Sequence, residues 1–300
     1  MAFILSVTTP IFNGEDFVNR CYSMLRMQTF TDWEWVVVDD GSTDKTADLI
    51  RQIDDERVRL ITYTTNRGRG YARSRALEAA RGQWMVVWDV DDLYFPNRLE
   101  KIDEARRDGY DFFCSYAVVV DNNLQIKGVR GFYPAVDGLP RYFVHPTLAC
   151  RIDIARKIGY EELKTVGGIG EDARIVLTLA AQYRGCFFED ALAIYQEDRE
   201  VFLKKSLDSN WSQLLCVQQL YQDGVLTMNW QSYLQITLKF IIKLLILNLM
   251  RFAPHLYLKT LRRRPYGEKA PNWSLSLERL AFIEQMRSGN FEGEAAHFSK

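Results

Sequence analysis

The chain has 300 residues, 47% of them hydrophobic and 26% charged, an ordinary globular composition that can build a sizeable core and excludes wholesale disorder. Its 38 basic and 39 acidic residues leave a net charge of -1, so the protein as a whole is no polyanion binder and no nucleic-acid partner is expected. The length suits one large α/β domain with an extension, or two small domains.

In chain order, Phe3–Thr8 is a short apolar run that stops at Thr9-Pro10 and reads as a buried strand. Glu15–Met27 has helical spacing, and Glu34–Val38 (EWVVV) is a second buried strand rich in β-branched residues. That strand breaks at Asp39-Asp40-Gly41-Ser42, where Ser42 or Thr43 is expected to cap a helix running to Ile53. Val58–Tyr63 is a third strand, Gly70–Ala80 a helix, and Trp84–Trp88 (WMVVW) a fourth strand ending at Asp89-Val90-Asp91-Asp92. Pro96 sits near the start of a helix reaching about Arg107, and Asp111–Val120 is a fifth strand. This alternation predicts an α/β fold with a mostly parallel sheet flanked by helices. Right-handed crossovers place the strand C-termini on one edge, where such sheets bind ligands.

Further on, Asn122–Leu139 reads as hairpin plus loop and Ile152–Ile158 as a short helix. Gly167-Gly168-Ile169-Gly170 leads into a helix over Glu171–Tyr183, followed by short strands at Cys186–Phe188 and Leu192–Tyr195. From Val201 the pattern is helical.

Four clusters carry chemistry. Alternate residues of an extended strand point to one side, so Asp89 and Asp91 can face one point and hold a hard divalent cation, Mg2+ or Mn2+, that also binds substrate phosphates. The plainer alternative is a solvated turn with capping acids. Asp39 and Asp40 end a strand with acceptors suited to a base edge or ribose, or simply form a turn. In Asn66–Arg73, Gly70 permits close approach and Arg73 can reach phosphate or base, while Arg67 and Arg69 read as solvated. Glu171 and Asp172 open a helix whose dipole keeps a carboxylate ionised, fitting either a general base or mere dipole complementarity.

Cys21, Cys114, Cys150, Cys186 and Cys216 form no CxxC pair, which argues against a zinc site or disulfide framework and for a reducing, cytoplasmic setting. The start, MAFILSVTTPIFNGEDF, lacks a basic region and is expected to open a domain rather than a signal peptide. Between Gly224 and Gly267 there is no Asp or Glu, yet Lys239, Lys243, Arg251, Lys259, Arg262, Arg263 and Arg264 are all basic. No run of 18 uncharged apolar residues occurs, which argues against a spanning helix. A basic amphipathic helix over 233–264 is expected to lie peripherally on a membrane, to pack on the domain, or to form a homo-oligomer contact.

The ordered set TTPIFNGEDFV, VVVDDGSTDKT, NRGRGYARSRALEAARGQW, WDVDD and GIGEDARIVLTLA resembles the inverting family 2 glycosyltransferases of the Rossmann-like GT-A fold, over roughly residues 3–200. The resemblance implies a catalytic domain at 1–200, with a nucleotide-sugar-binding half at 1–120 and an acceptor half at 121–200. Residues 201–300 would be a helical C-terminal extension. It implies that Thr9 and Pro10 flank the base, Asp40 contacts uracil or its equivalent with Asp39 nearby, Asp89 approaches the ribose, Val90 belongs to the nucleotide-sugar site, and Asp91 binds metal and diphosphate. Asp172 would be the catalytic base with Glu171 beside it, in a single displacement from a nucleotide-diphosphate sugar, a UDP-sugar first, onto a glycan or lipid-linked acceptor. The family's basic stretch after the base helix is here Tyr195-Gln196-Glu197-Asp198-Arg199 and Lys204-Lys205-Ser206, so Arg199 or Lys204 stands in for the diphosphate contact. His145 is an acceptor-contact candidate with a packed histidine as its alternative. A nucleotidyltransferase or dinucleotide oxidoreductase would need a Gly-rich loop after the first strand, where only Gly14 occurs. A non-catalytic nucleotide-sugar or carbohydrate binder on the same fold stays open.

Overall fold

The structure, a computed structural model, describes residues 3–121, 123–136, 138–160, 171–196, 203–253 and 275–288. Four strands, β1 (Leu5–Ile11), β2 (Trp33–Asp39), β3 (Val58–Thr62) and β4 (Trp84–Val87), pair in parallel in the order β3-β2-β1-β4. Every residue of β2 is buried, as expected of a parallel strand covered on both faces, and its interior acid Glu34 accepts from Ser6 Oγ and from the Arg59 guanidinium. The helices supply that cover. In α1 (Glu15–Arg26), Val18, Cys21, Met24 and Leu25 share one face and are buried, each such side chain contributing about 1.5–3 kcal/mol. In α3 (Arg69–Ala79), Ala72 and Ala76 pack against Val36 and Val38 of β2.

Beyond β4 the sheet becomes mixed. β8 (Ala149–Arg151) runs antiparallel to β4 and to β6 (Phe112–Val120). β9 (Gly185–Gln196) is parallel to β6, β5 (Leu93–Tyr94) closes the far edge antiparallel to β9, and β7 (Ile126–Arg130) forms a hairpin on β6. The two halves expected from the sequence therefore share one sheet. The remaining helices are α2 (Thr46–Arg51), α4 (Arg98–Arg107), α5 (Ile152–Ile158), α6 (Glu171–Gln182), α7 (Leu203–Gln222), α8 (Trp230–Leu249) and α9 (Leu277–Arg287). Phe282, Ile283 and Met286 of α9 join the main core, with the Phe282 ring 5.3 Å from that of Phe95.

Two local expectations change. Neither Ser42 nor Thr43 caps α2, which begins only at Thr46. Asp44 instead takes the Thr46 N–H at 3.0 Å, while Ser42 and Thr43 clasp Asn13, whose N–H donates to Ser42 Oγ at 2.8 Å and whose Oδ1 accepts from the Thr43 N–H at 2.9 Å. The two short strands expected around 186–195 are one strand, β9, whose register against β6 shifts near Tyr116. A bulge absorbs the polar Glu189-Asp190 step without ending the ladder.

Candidate active site

The parallel strands bring their C-terminal ends to one edge, with Ile11 opposite Asp39 and Thr8 opposite Val87. Asp39 and Asp40 are both buried there. Asp39 Oδ1 accepts from the Ser42 N–H at 3.0 Å. Asp40 accepts from the N–H groups of Arg67 (3.0 Å) and Gly68 (2.7 Å), tying β2 to the loop that launches α3. Gly68 has φ 95°, a left-handed conformation that suits glycine. The Thr9 hydroxyl is spent inside the core, donating to the Trp88 carbonyl and accepting from Trp35 Nε1, both at 2.8 Å. Pro10 is half-buried beside it, and Gly70 is buried in the first turn of α3.

Asp89–Asp92 does not continue β4. The strand ends at Val87, and the Asp92 N–H donates to the Asp89 carbonyl at 3.3 Å, closing a turn that leads into β5. The alternation argument for Asp89 and Asp91 is thus corrected. A turn, rather than a pleat, sets their directions, because β5 must reverse the chain to reach β9. Around this turn the structure adds residues that sequence reasoning passed over. The Arg20 guanidinium, from α1, donates to the Asp91 carbonyl at 3.0 Å. The Tyr94 hydroxyl accepts from the Asp89 N–H at 2.9 Å. Arg98, fully buried, donates to the carbonyls of Val87 and Pro146 and lies 4.2 Å from the Tyr94 ring.

The three acids of the turn titrate differently. Burial alone would raise Asp89, but the Arg73 guanidinium 2.9 Å away outweighs it and holds the carboxyl below the usual range. Asp91 is exposed, and partial desolvation plus the charge of Asp89 raise its carboxyl. Asp92 is buried and pushed well above the usual range by desolvation and by both neighbours.

Behind Arg73 stand two aromatic residues. Its guanidinium lies 5.9 Å from the centre of the Tyr160 ring, and the Tyr160 hydroxyl is 2.9 Å from His145 Nε2. His145 is 2% exposed, behind the edge rather than at its surface. Burial and the neighbouring Arg73 push its pKa well below the usual histidine value, so it is neutral. Tyr160 is raised first by burial and further by the charges of Asp89 and Asp172. Asp172 is half-buried in the first turn of α6 and, after desolvation, is the next cause raising the half-buried Tyr142. Tyr160 therefore lies within electrostatic reach of both acids. Glu171 is the first residue of α6 and Lys204 lies in the first turn of α7, but both side chains fall outside the described residues, as does Arg199 entirely. Val90, half-buried, packs on the main core.

Among the described residues no group of three or more His, Cys, Asp or Glu side chains is arranged to hold a metal ion. The donor set at the turn nevertheless fits a Mg2+ or Mn2+ ion that arrives with a diphosphate. Asp89 is neutralised by Arg73, and the exposed Asp91 carboxylate offers the hard oxygen such an ion takes from protein while phosphates and water fill its shell.

Residues 6–150 match the family model for glycosyl transferase family 2. That stretch is a family 2 glycosyl transferase domain. It contains Asp39, Asp40, Asp89, Asp91 and Asp92, while Asp172 lies beyond it. Among relatives, the UDP-Glc:alpha-D-GlcNAc-diphosphoundecaprenol beta-1,3-glucosyltransferase WfgD of Escherichia coli is 30% identical over 122 residues, 40% of this chain and 48% of that protein. The chain thus spans about half the length of that relative. Among solved structures, S. aureus TarS with UDP-GlcNAc superposes with a TM-score of 0.60 at 21% identity, covering 80% of this chain and 72% of that one. The mannosyltransferase PcManGT of Pyrobaculum calidifontis, with GDP-Man and Mn2+, gives 0.59 at 15% identity over 97% of this chain and 84% of that one. At these identities the structures establish the GT-A fold of the family 2 domain.

Proposed function

We propose that this chain is an inverting glycosyltransferase that moves a sugar from a nucleotide-diphosphate donor, a UDP-sugar first, onto a hydroxyl of a glycan or lipid-linked acceptor in surface polysaccharide or glycolipid synthesis. What supports the reading is that Asp89 of the acidic turn and Asp172 of α6 both bear electrostatically on the buried Tyr160, whose hydroxyl meets His145 Nε2 at 2.9 Å. We read the carboxylates of the strand edge and the acid opening α6 as serving one substrate.

In this reading residues 1–120 hold the nucleotide sugar, 121–200 face the acceptor, and 201–300 extend the domain. Asp39 and Asp40 position the base, and Arg73 orients Asp89 towards the ribose. Asp91 would hold a divalent cation, which when bound neutralises charge on the diphosphate. Asp172 accepts the proton of the acceptor hydroxyl. The acceptor oxygen forms its bond to C1 while the C1–O bond to the diphosphate breaks, the electron pair leaving on the diphosphate and the anomeric centre inverting. A positioned base of this kind contributes about 10²–10⁴-fold. The names of WfgD and TarS's ligand, both UDP-sugars, support the donor class.

The test is a thermal-shift panel of nucleoside diphosphates and nucleotide sugars with and without Mn2+, followed by donor turnover. Stabilisation by one base type with metal, plus sugar release or transfer, is expected. Asp172→Asn should keep donor binding and lose transfer by about 10²-fold or more. Normal transfer by that variant overturns the base assignment, and binding without turnover for every acceptor tried leaves only a binding protein.

A further inference from the structure

We propose that the outward face of α8 docks on the surface of an anionic phospholipid bilayer, lying in the interface rather than crossing it. A helix packed on a soluble domain ordinarily turns polar residues outward. Here Leu234, Leu238, Ile241, Leu245, Leu249 and Phe252 recur at helical spacing and are 52%, 54%, 41%, 59%, 68% and 90% exposed. They form one contiguous apolar stripe, of a kind that marks an interaction surface. Within the helical stretch Trp230–Phe252 an 18-residue window has a mean hydropathy of 1.6, and only 11% of that window is buried. By length and apolarity it can cross a membrane, in contrast to what the run of charges in the sequence suggests. Its opposite face is already committed, with Ile236 packed in one cluster with Ala173 and Leu177 of α6 and Leu220 of α7. Crossing would strip that face from the domain. Lying flat keeps it.

Charge selects the occupant. The helix carries Lys239, Lys243 and, just beyond, Arg251, and the sequence from Gly224 to Gly267 contains no acid. Anionic headgroups complement such a surface. A second copy of the same helix brings more lysines and no carboxylate to meet them. The helix packs on α7, which in turn packs on α6, whose first turn carries Asp172, so a bilayer on this face lies on the same side of the domain as the half read as receiving the acceptor.

Vesicle flotation tests this without any activity readout, and so independently of the glycosyltransferase reading. The full chain is mixed with vesicles of phosphatidylcholine alone or of phosphatidylcholine with phosphatidylglycerol. It should float with the second, be released by high salt or alkaline carbonate, and stay down with the first. Replacing the exposed Leu238, Ile242 and Leu245 by Ser should lower partitioning by about tenfold or more with the melting temperature retained. Wild type that ignores anionic vesicles, or that resists carbonate as a spanning helix does, overturns the proposal. So does a triple variant that floats like wild type, or one whose only change is loss of a dimer in solution.

Discussion

Replacing Arg73 by Met keeps an unbranched apolar stem in α3 and removes only the guanidinium. That group is 6% exposed and bonds an Asp89 side chain that is 20% exposed, at 2.9 Å. Breaking a fully buried ion pair costs about 3–5 kcal/mol because the survivor is left charged and unpaired. The residual exposure of Asp89 lets water recover part of this, leaving about 2–3 kcal/mol. For a domain of this size each kcal/mol lowers Tm by about 2–4 °C, so R73M should melt roughly 4–12 °C below wild type. The same change frees Asp89 from its orienting partner, so KM for the nucleotide sugar should rise while the bound complex still turns over. Arg73→Lys keeps the charge but lacks the planar fork and the contact with the Tyr160 ring, and should recover about half the loss. Calorimetry and donor kinetics on the three proteins decide it. An R73M protein that melts within about 1 °C of wild type, with unchanged KM, refutes the claim that this pair holds the site.

Asp91→Ala should abolish the extra thermal stabilisation that Mn2+ gives with a nucleoside diphosphate, read by thermal shift, and leave the melting point of the ligand-free protein nearly unchanged, since this carboxylate is exposed. Gly185→Ala should destabilise by about 1–3 kcal/mol, measured by chemical denaturation, because a Cβ there runs into the Phe112 ring. Asp55 is lowered to about 2, chiefly by its bond to Arg57. A depressed carboxylate stabilises the fold above its unfolded pKa and loses that contribution as pH falls from roughly 4 to 2. With Arg57 still 29% exposed, screening leaves about 1 kcal/mol, so Asp55→Asn should flatten the acid limb of the stability curve between those pH values.

The strand-helix alternation of the first 120 residues was legible because buried parallel strands are continuous apolar runs: EWVVV and WMVVW match β2 and β4 to within a residue or two at each end. The mixed half was less so. β5 is two residues long and β8 three, too short to show a period, and their pairing is long-range. The edge acids were visible as acids, but not their partners. Tyr160 follows a glycine helix end and Arg98 opens an ordinary charged helix, with nothing local to separate them from surface residues. What makes them part of the site is distance in space, 2.9 Å from His145 to Tyr160 and 4.2 Å from Arg98 to Tyr94. The turn at Asp89–Asp92 misled for a related reason. Alternation along a strand is a local rule, and the reversal into β5 is imposed by β9, a hundred residues later.

The helix at 277–287 carries a consequence for how the site is made. Its Phe282 covers Phe95, three residues past the acidic turn, and its Arg279 pairs with Asp190 of β9. The segment that matches the family is therefore packed against residues from far outside it. A protein cut ahead of Leu275 should expose Phe95 beside the acidic turn and be cleaved faster there in limited proteolysis.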